Sequence, residues 1–113
     1  MFTGIIQSKG WVTHRKGLRL EIKTPLSRAR VGDSVGVNGV CLTIINSGGS
    51  ARNRRLAFDL SQETLDRTTI GLWTPCHSLH VEPALRAGDP LGGHVVQGQL
   101  YAVGRLLARR SKV

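Results

Sequence analysis

Alternation of apolar and polar residues is the feature that most restricts how this chain folds. In residues 17–23 (GLRLEIK), Leu18, Leu20 and Ile22 share one face of an extended segment, while charged residues occupy the other face. An α-helix would scatter these side chains around its circumference, so the period of two indicates a half-buried β-strand. Pro25 ends this strand, because proline has no N–H to donate to a neighbouring strand.

Turn residues divide the rest of the chain into short elements. Asn38-Gly39 is the strongest hairpin signal, since both residues tolerate a positive φ. Ser61 is a fair N-cap for a short helix from Gln62 to about Thr68. Residues 47–50 are predicted to be a loop that the basic run after them lengthens. The predicted strands are 10–14, 17–23, 34–37, 40–45, 56–60, 78–82 and 94–101. Several short strands with one helix indicate an all-β sandwich or a small barrel.

Size and composition are those of one ordinary globular domain. The chain has 113 residues, of which 40% are hydrophobic and only 4% aromatic, so we expect an aliphatic core. Cys41 and Cys76 do not make a disulfide framework, and we expect two reduced, buried thiols in a cytoplasmic protein. We find no signal peptide and no apolar run as long as a membrane span.

The formal net charge of +9 predicts nonspecific attraction to polyanions. Basic residues cluster only at 52–55 and 109–112, and the few aromatic residues show no grouping typical of RNA-binding domains. We therefore interpret the positive charge mainly as solvated side chains of loops and of the C-terminal tail. A basic nucleic-acid-binding barrel remains an alternative.

Two segments carry isolated polar side chains within apolar runs, 38–43 (NGVCLT) and 92–98 (GGHVVQG). A buried polar group without a partner costs about 1–3 kcal/mol. Such residues are typical of a site for a small polar heterocycle. The alternative for Cys41 and Thr43 is a core cysteine beside a threonine bonded to its own backbone.

These two segments, together with MFTGII at the start and FDLSQETL at 58–65, resemble the N-terminal repeat of the riboflavin synthase family, the lumazine-binding barrels. The resemblance implies a six-stranded Greek-key barrel over residues 1–98, with 99–113 as the start of a truncated second repeat. It also implies a reaction without external cofactor, in which two molecules of 6,7-dimethyl-8-ribityllumazine yield riboflavin and 5-amino-6-ribitylaminopyrimidinedione. A single barrel holds one substrate, so we expect a homo-oligomer.

The resemblance also implies site residues. The expected catalytic residues are Phe2, Cys41 and His94. The expected substrate-binding residues are Gly4, Ile5, Ile6, Cys41, Leu42, Thr43, Asp59, Leu60, Ser61, Gln62, Glu63, Thr64, Gly98, Gln99 and Leu100.

The chain departs from the family pattern at several positions. Gln99 stands where the family usually has histidine, His80 where it has asparagine, and Pro83 where it has arginine. These departures and the single repeat favour, as an alternative, a non-catalytic flavin or lumazine carrier. We expect no metal site, because Cys76, His77 and His80 are the only ligand types that fall close together.

Overall fold

The structure, a computed structural model, describes residues 2, 6, 8–84 and 103–108. Its strands are β1 (Ser8–Lys16), β2 (Arg19–Thr24), β3 (Ser34–Val37), β4 (Val40–Ser50), β5 (Asn53–Asp59) and β6 (Ser78–Pro83). Within these described residues, α1 (Gln62–Arg67) is the only α-helix, and a 3₁₀ turn spans Ile70–Leu72.

The six strands form a closed barrel in the order β1-β2-β5-β4-β3-β6. All neighbouring strands are antiparallel, and β1 closes the barrel by pairing with both β2 and β6. Consecutive hairpins join β3, β4 and β5, and β6 then returns to lie beside β3, which is the arrangement of a Greek key. The predicted all-β Greek-key barrel with six strands and one short helix is confirmed.

Alternation along the strands fills the barrel interior. Leu20, Ile22 and Phe58 are completely buried. Leu18 was expected beside them, but it is 48% exposed, because β2 begins only at Arg19. The core is largely aliphatic, as predicted, with two aromatic additions. Its members are Val12, Leu20, Ile22, Leu26, Ala29, Val35, Val37, Val40, Leu42, Ile44, Leu56, Phe58, Leu60, Ile70, Trp73, Leu79 and Val81.

The β3–β4 hairpin has the predicted turn. Asn38 and Gly39 adopt φ values of 49° and 84°, as a two-residue turn with two left-handed positions requires. The Asn38 side chain also accepts a hydrogen bond of 2.7 Å from the backbone N–H of His80 on β6. This turn therefore fixes the register of β3 against β4 and ties both strands to β6.

The prediction of a loop over residues 47–50 is wrong. These residues continue β4 and pair with β5, from Ser47 opposite Leu56 to Ser50 opposite Asn53. A bulge between Ile44 and Asn46 shifts the register. The turn lies instead at residues 51–52, so most of the basic run belongs to β5. The glycines at 48 and 49 are typical of a loop, but here they let β4 and β5 approach each other closely.

The helix begins as predicted. Ser61 caps α1, and its hydroxyl accepts a hydrogen bond of 3.0 Å from the N–H of Thr64. The helix ends at Arg67, because Thr68 is extended. No helix in the described part of the chain has the length and apolar character needed to cross a membrane.

The strand predicted over 94–101 lies outside the described residues. The division of the chain into 1–98 and 99–113 falls in the same part of the sequence. The barrel is nevertheless complete without that strand, because β6 pairs with both β1 and β3.

Candidate functional site

The outer face of β4 carries the polar residues that the sequence singled out. Val40, Leu42 and Ile44 point into the core, whereas Cys41 and Thr43 are exposed. The prediction that Cys41 and Thr43 share one face of the strand is confirmed. Their burial in a pocket inside the fold is not, because the alternation of β4 directs them outward.

The strand β3 adds a polar residue that sequence reasoning missed. Ser34 pairs with Thr43, and Gly36 pairs with Cys41. Directly opposed residues of an antiparallel pair project from the same face of the sheet, so Ser34 lies beside Thr43 on the barrel exterior. The signal was present in the sequence, since a two-residue turn at Asn38-Gly39 dictates this register.

Phe2 lies against this surface. Its side chain is buried, and its Cδ1 lies 3.4 Å from where a Cβ would stand at Gly36. Gly36 also pairs with Glu82 on β6, so Cys41, Gly36 and Glu82 form one row across three strands. The Phe2 ring therefore packs at Gly36, the residue on β3 that is paired with Cys41, where no large side chain stands in its way.

The start of α1 borders the other side of the surface. The β4–β5 pairing reaches Ile44 opposite Phe58. Continuing this antiparallel register by one residue places Asp59 beside Thr43 on the outer face. The chain then runs through buried Leu60 into the N-cap, Ser61. Cys41 and Thr43 therefore lie between Phe2 on one side and the start of α1 on the other.

The polar side chains at the start of α1 are bonded within the helix. Gln62 donates a hydrogen bond of 3.0 Å to Asp66, and the Ser61 hydroxyl lies 2.9 Å from the hydroxyl of Thr64. The carboxylate of Glu63 forms an ion pair of 3.2 Å with Arg67. Both charged side chains of this pair are more than half exposed, so the ion pair is weak and the Glu63 carboxylate can bind another partner instead.

Both cysteines are free and exposed. The prediction of two buried thiols is therefore wrong. Cys41 projects outward from β4, and Cys76 lies in the turn before β6 with a φ of 71°. Cys41 thus presents its thiol in the middle of the candidate site, whereas Cys76 is in a different part of the fold.

The structure brings together some of the expected site residues and separates others. Cys41 and Thr43 share the outer face of β4, and Phe2 packs at Gly36, the β3 partner of Cys41. Leu42 and Leu60 belong to the core, which leaves only their backbone groups for contact with a ligand. Ile6 is 44% exposed. The residues that lie outside the described part of the chain are Gly4, Ile5, His94, Gly98, Gln99 and Leu100.

The two histidines near Cys76 have structural contacts. The ring of His77 stacks on Trp73 with centroids 5.5 Å apart and planes inclined by 13°. The backbone N–H of His80 is bonded to Asn38. Among the residues that the structure describes, no group of three or more His, Cys, Asp and Glu side chains is arranged to hold a metal ion.

Comparison with known proteins agrees with this architecture. Residues 3–84 match the family described as the lumazine binding domain. This segment includes Cys41, Thr43, all six strands and the helix α1. The match covers well over half of the chain. This chain belongs to the lumazine-binding domain family.

Curated relatives of this lumazine-binding chain are riboflavin synthases. The riboflavin synthase of Mycobacterium tuberculosis is 40% identical over 115 residues, which cover 96% of this chain and 56% of that protein. The riboflavin synthase of Chlamydia pneumoniae is 39% identical, covering 94% and 54%. That of Actinobacillus pleuropneumoniae is 32% identical, covering 94% and 50%. The chain therefore spans about half the length of the curated relatives it matches.

Proposed function

We propose that this chain binds 6,7-dimethyl-8-ribityllumazine, or the product riboflavin, on the barrel exterior at β3 and β4, as one half of a riboflavin synthase active site. The observation that carries the proposal is the exposed pair Cys41 and Thr43, flanked by Ser34 and by the ring of Phe2. Membership of the lumazine-binding family supports the ligand, and the names of the relatives support the reaction.

The hydroxyl groups suit the polar edge of such a ring system. A pyrimidinedione presents N–H donors and carbonyl acceptors along one edge. The hydroxyls of Ser34 and Thr43 each donate one hydrogen bond and accept others. Because these two residues face each other across neighbouring strands, they address adjacent atoms of that edge. The Phe2 ring, which packs at Gly36, then contacts the ligand ring itself.

The ribityl chain fits the helical side of the site. Its hydroxyls require acceptors and donors at the surface. The Glu63 carboxylate is held by Arg67 in an exposed ion pair, which contributes only about 0–1 kcal/mol. A ribityl hydroxyl that binds Glu63 in place of Arg67 therefore costs the protein little stability. Asp59 at the end of β5 is a second acceptor, because its side chain is 69% exposed and is held by an ion pair of 3.5 Å with Arg19.

Catalysis needs a second barrel. The reaction exchanges a four-carbon unit between two lumazines, and it depends on stacking them in register while protons move. The outer face of one barrel contacts only one side of one lumazine ring. The second substrate must therefore be bound by another barrel that faces the first. We assign proton transfer to the Cys41 thiol and to His94. Exposed free thiols persist in reducing compartments, which supports a cytoplasmic protein.

Ligand titration tests binding. Purified chain is titrated with 6,7-dimethyl-8-ribityllumazine and with riboflavin, and the ligand fluorescence is followed. The proposal expects a saturable change with one ligand per barrel. Fluorescence that does not saturate at high micromolar ligand would contradict it.

A second candidate function is a flavin or lumazine carrier without turnover. The observation that favours it is Gln99, which stands where the family usually has a histidine that could transfer a proton. Riboflavin formation from lumazine distinguishes the two functions. We expect little or no turnover by this chain alone, and a gain on adding a second repeat or on the substitution Gln99→His. Saturable binding with no turnover under any of these conditions supports the carrier.

A further inference from the structure

An exposed tryptophan marks the side of the barrel opposite the lumazine site. Phe2, Phe58 and Trp73 are buried, whereas Trp11 on β1 is 43% exposed. β1 and β4 are three places apart in the ring of six strands, so Trp11 and Cys41 lie on opposite sides of the barrel. Neither the lumazine site nor the core accounts for an aromatic side chain in this position.

Basic residues surround Trp11 on the same face. Lys23 is its direct partner on β2, and Lys9 is two residues earlier on β1. Arg55 on β5 is the next member of the row, because it pairs with Lys23. Opposing two like charges across a strand pair is destabilising. In the described part of the chain, none of these three cations has a carboxylate partner.

A groove adjoins this row. It has a volume of about 220 Å³, and its lining includes Thr13, Glu21, Asn46, Arg55 and Ala57. The bulge that shifts the register of β1 after Val12 lies at one edge, and the small side chain of Ala57 leaves room at the floor. Hydroxyl, amide and carboxylate groups in this groove accept and donate hydrogen bonds, as sugar hydroxyls require.

From this arrangement we infer that the face formed by Lys9, Trp11, Lys23 and Arg55 binds single-stranded nucleic acid without sequence preference. An aromatic side chain on which a base stacks, within a strip of unpaired cations, is the combination that such binding requires. The phosphates run past Lys9 and Lys23, because the Glu21 carboxylate repels them from the groove. A sugar then lies in the groove beside Arg55.

The net charge of +9 supports this face but does not define it. Charge alone attracts any polyanion, whereas stacking on Trp11 selects ligands that carry bases. The position opposite Cys41 makes binding there independent of lumazine. Loss of oligonucleotide binding would therefore leave lumazine binding at Cys41 and Thr43 unchanged.

The experiment measures binding of a fluorescein-labelled ten-nucleotide oligothymidylate by anisotropy, between 50 and 200 mM salt. The two phosphate contacts, at Lys9 and Lys23, predict a slope of about −1.4 for log K against log salt. Trp11→Ala should weaken binding by at least about fivefold, and Trp11→Phe should restore most of it. Lys23→Gln should make the slope less steep by about 0.7. Arg30→Gln removes one exposed charge from the β2–β3 connection and serves as the matched control, with a smaller effect expected.

Two comparisons decide whether bases are read. An abasic oligonucleotide of the same length should bind at least about fivefold more weakly than oligothymidylate. Saturating riboflavin should leave oligonucleotide binding unchanged. Equal affinity for the abasic strand, equal effects of Lys23→Gln and Arg30→Gln, or displacement by riboflavin would each overturn the inference. Circular dichroism checks that every variant keeps its strands. If Trp11→Ala does not fold, the abasic oligonucleotide still tests whether bases stack on Trp11, and Trp11→Phe shows whether an aromatic ring is sufficient.

Discussion

Ser34 faces Thr43 directly across the β3–β4 pair, and both side chains project from the barrel exterior. Cβ atoms of such a pair are about 4.5–5.5 Å apart, close enough for two hydroxyls to address one ligand edge. Cys41 and Gly36 form the next outward pair, with the Phe2 ring packed on the glycine. Two neighbouring residue pairs of the β3–β4 hairpin thus hold the groups to which we assign lumazine binding.

The two exposed thiols provide an internal comparison. Cys41 lies in the proposed site and Cys76 in the turn before β6. We expect saturating riboflavin to slow alkylation of Cys41 by iodoacetamide several-fold, while the rate at Cys76 stays the same. Mass spectrometry of peptides after timed quenching measures both rates in one sample. Equal protection of the two cysteines, or none, would argue that the ligand binds elsewhere.

Gly36 should tolerate one added methyl group but not a branched side chain. A Cβ there would lie 3.4 Å from Phe2 Cδ1, an ordinary van der Waals contact. Gly36→Ala should therefore keep lumazine affinity close to that of the original chain. Gly36→Val should displace the ring, lower affinity about tenfold or more and cost about 1–3 kcal/mol of stability. Thermal unfolding and ligand titration check both variants, and unchanged affinity in Gly36→Val would remove Phe2 from the site.

Gly49 and Gly17 form a second matched pair, for the fold. Both have positive φ, 80° and 55°, so alanine is strained at each by about 1–2 kcal/mol. A Cβ at Gly49 would also collide with the carbonyl oxygen of Asn53, whereas nothing lies within 4 Å at Gly17. Denaturant unfolding should show Gly49→Ala to be clearly the less stable variant. Similar losses in both would contradict the close β4–β5 approach that replaces the predicted loop.

Self-association follows from the proposed two-barrel site. We expect the chain to form dimers or larger homo-oligomers at tens of micromolar, because one barrel presents only half of the site. Sedimentation velocity across a concentration series measures this, and lumazine should shift the equilibrium toward the oligomer. A strict monomer with and without ligand would contradict the shared site.

The fold was largely predictable because alternation and turn residues are local signals. The turn at Asn38-Gly39, the cap at Ser61 and the stop at Pro25 all lie where the sequence places them. The failures concern residues whose conformation depends on partners distant in sequence. Residues 47–50 look like a loop by composition, and only pairing with β5 makes them a strand.

The sequence predicted several residues of the candidate site, but not the direction in which their side chains point. Spacing placed Cys41 and Thr43 on one face, but burial was inferred from their apolar neighbours. The direction of that face is set by closure of the barrel, which a local pattern does not contain. Ser34 was overlooked because it becomes relevant only through its pairing with Thr43.

The central claim is that lumazine binds the outer face at β3 and β4. Thr43 and Thr13 are both exposed strand threonines, one in this site and the other on β1. Fluorescence titration of the original chain, Ser34→Ala, Thr43→Val and Thr13→Val compares them directly. We predict that loss of either site hydroxyl weakens binding by about 1–3 kcal/mol, whereas Thr13→Val leaves it unchanged. Affinity unaffected by Ser34→Ala and Thr43→Val, or lowered equally by Thr13→Val, would contradict the claim.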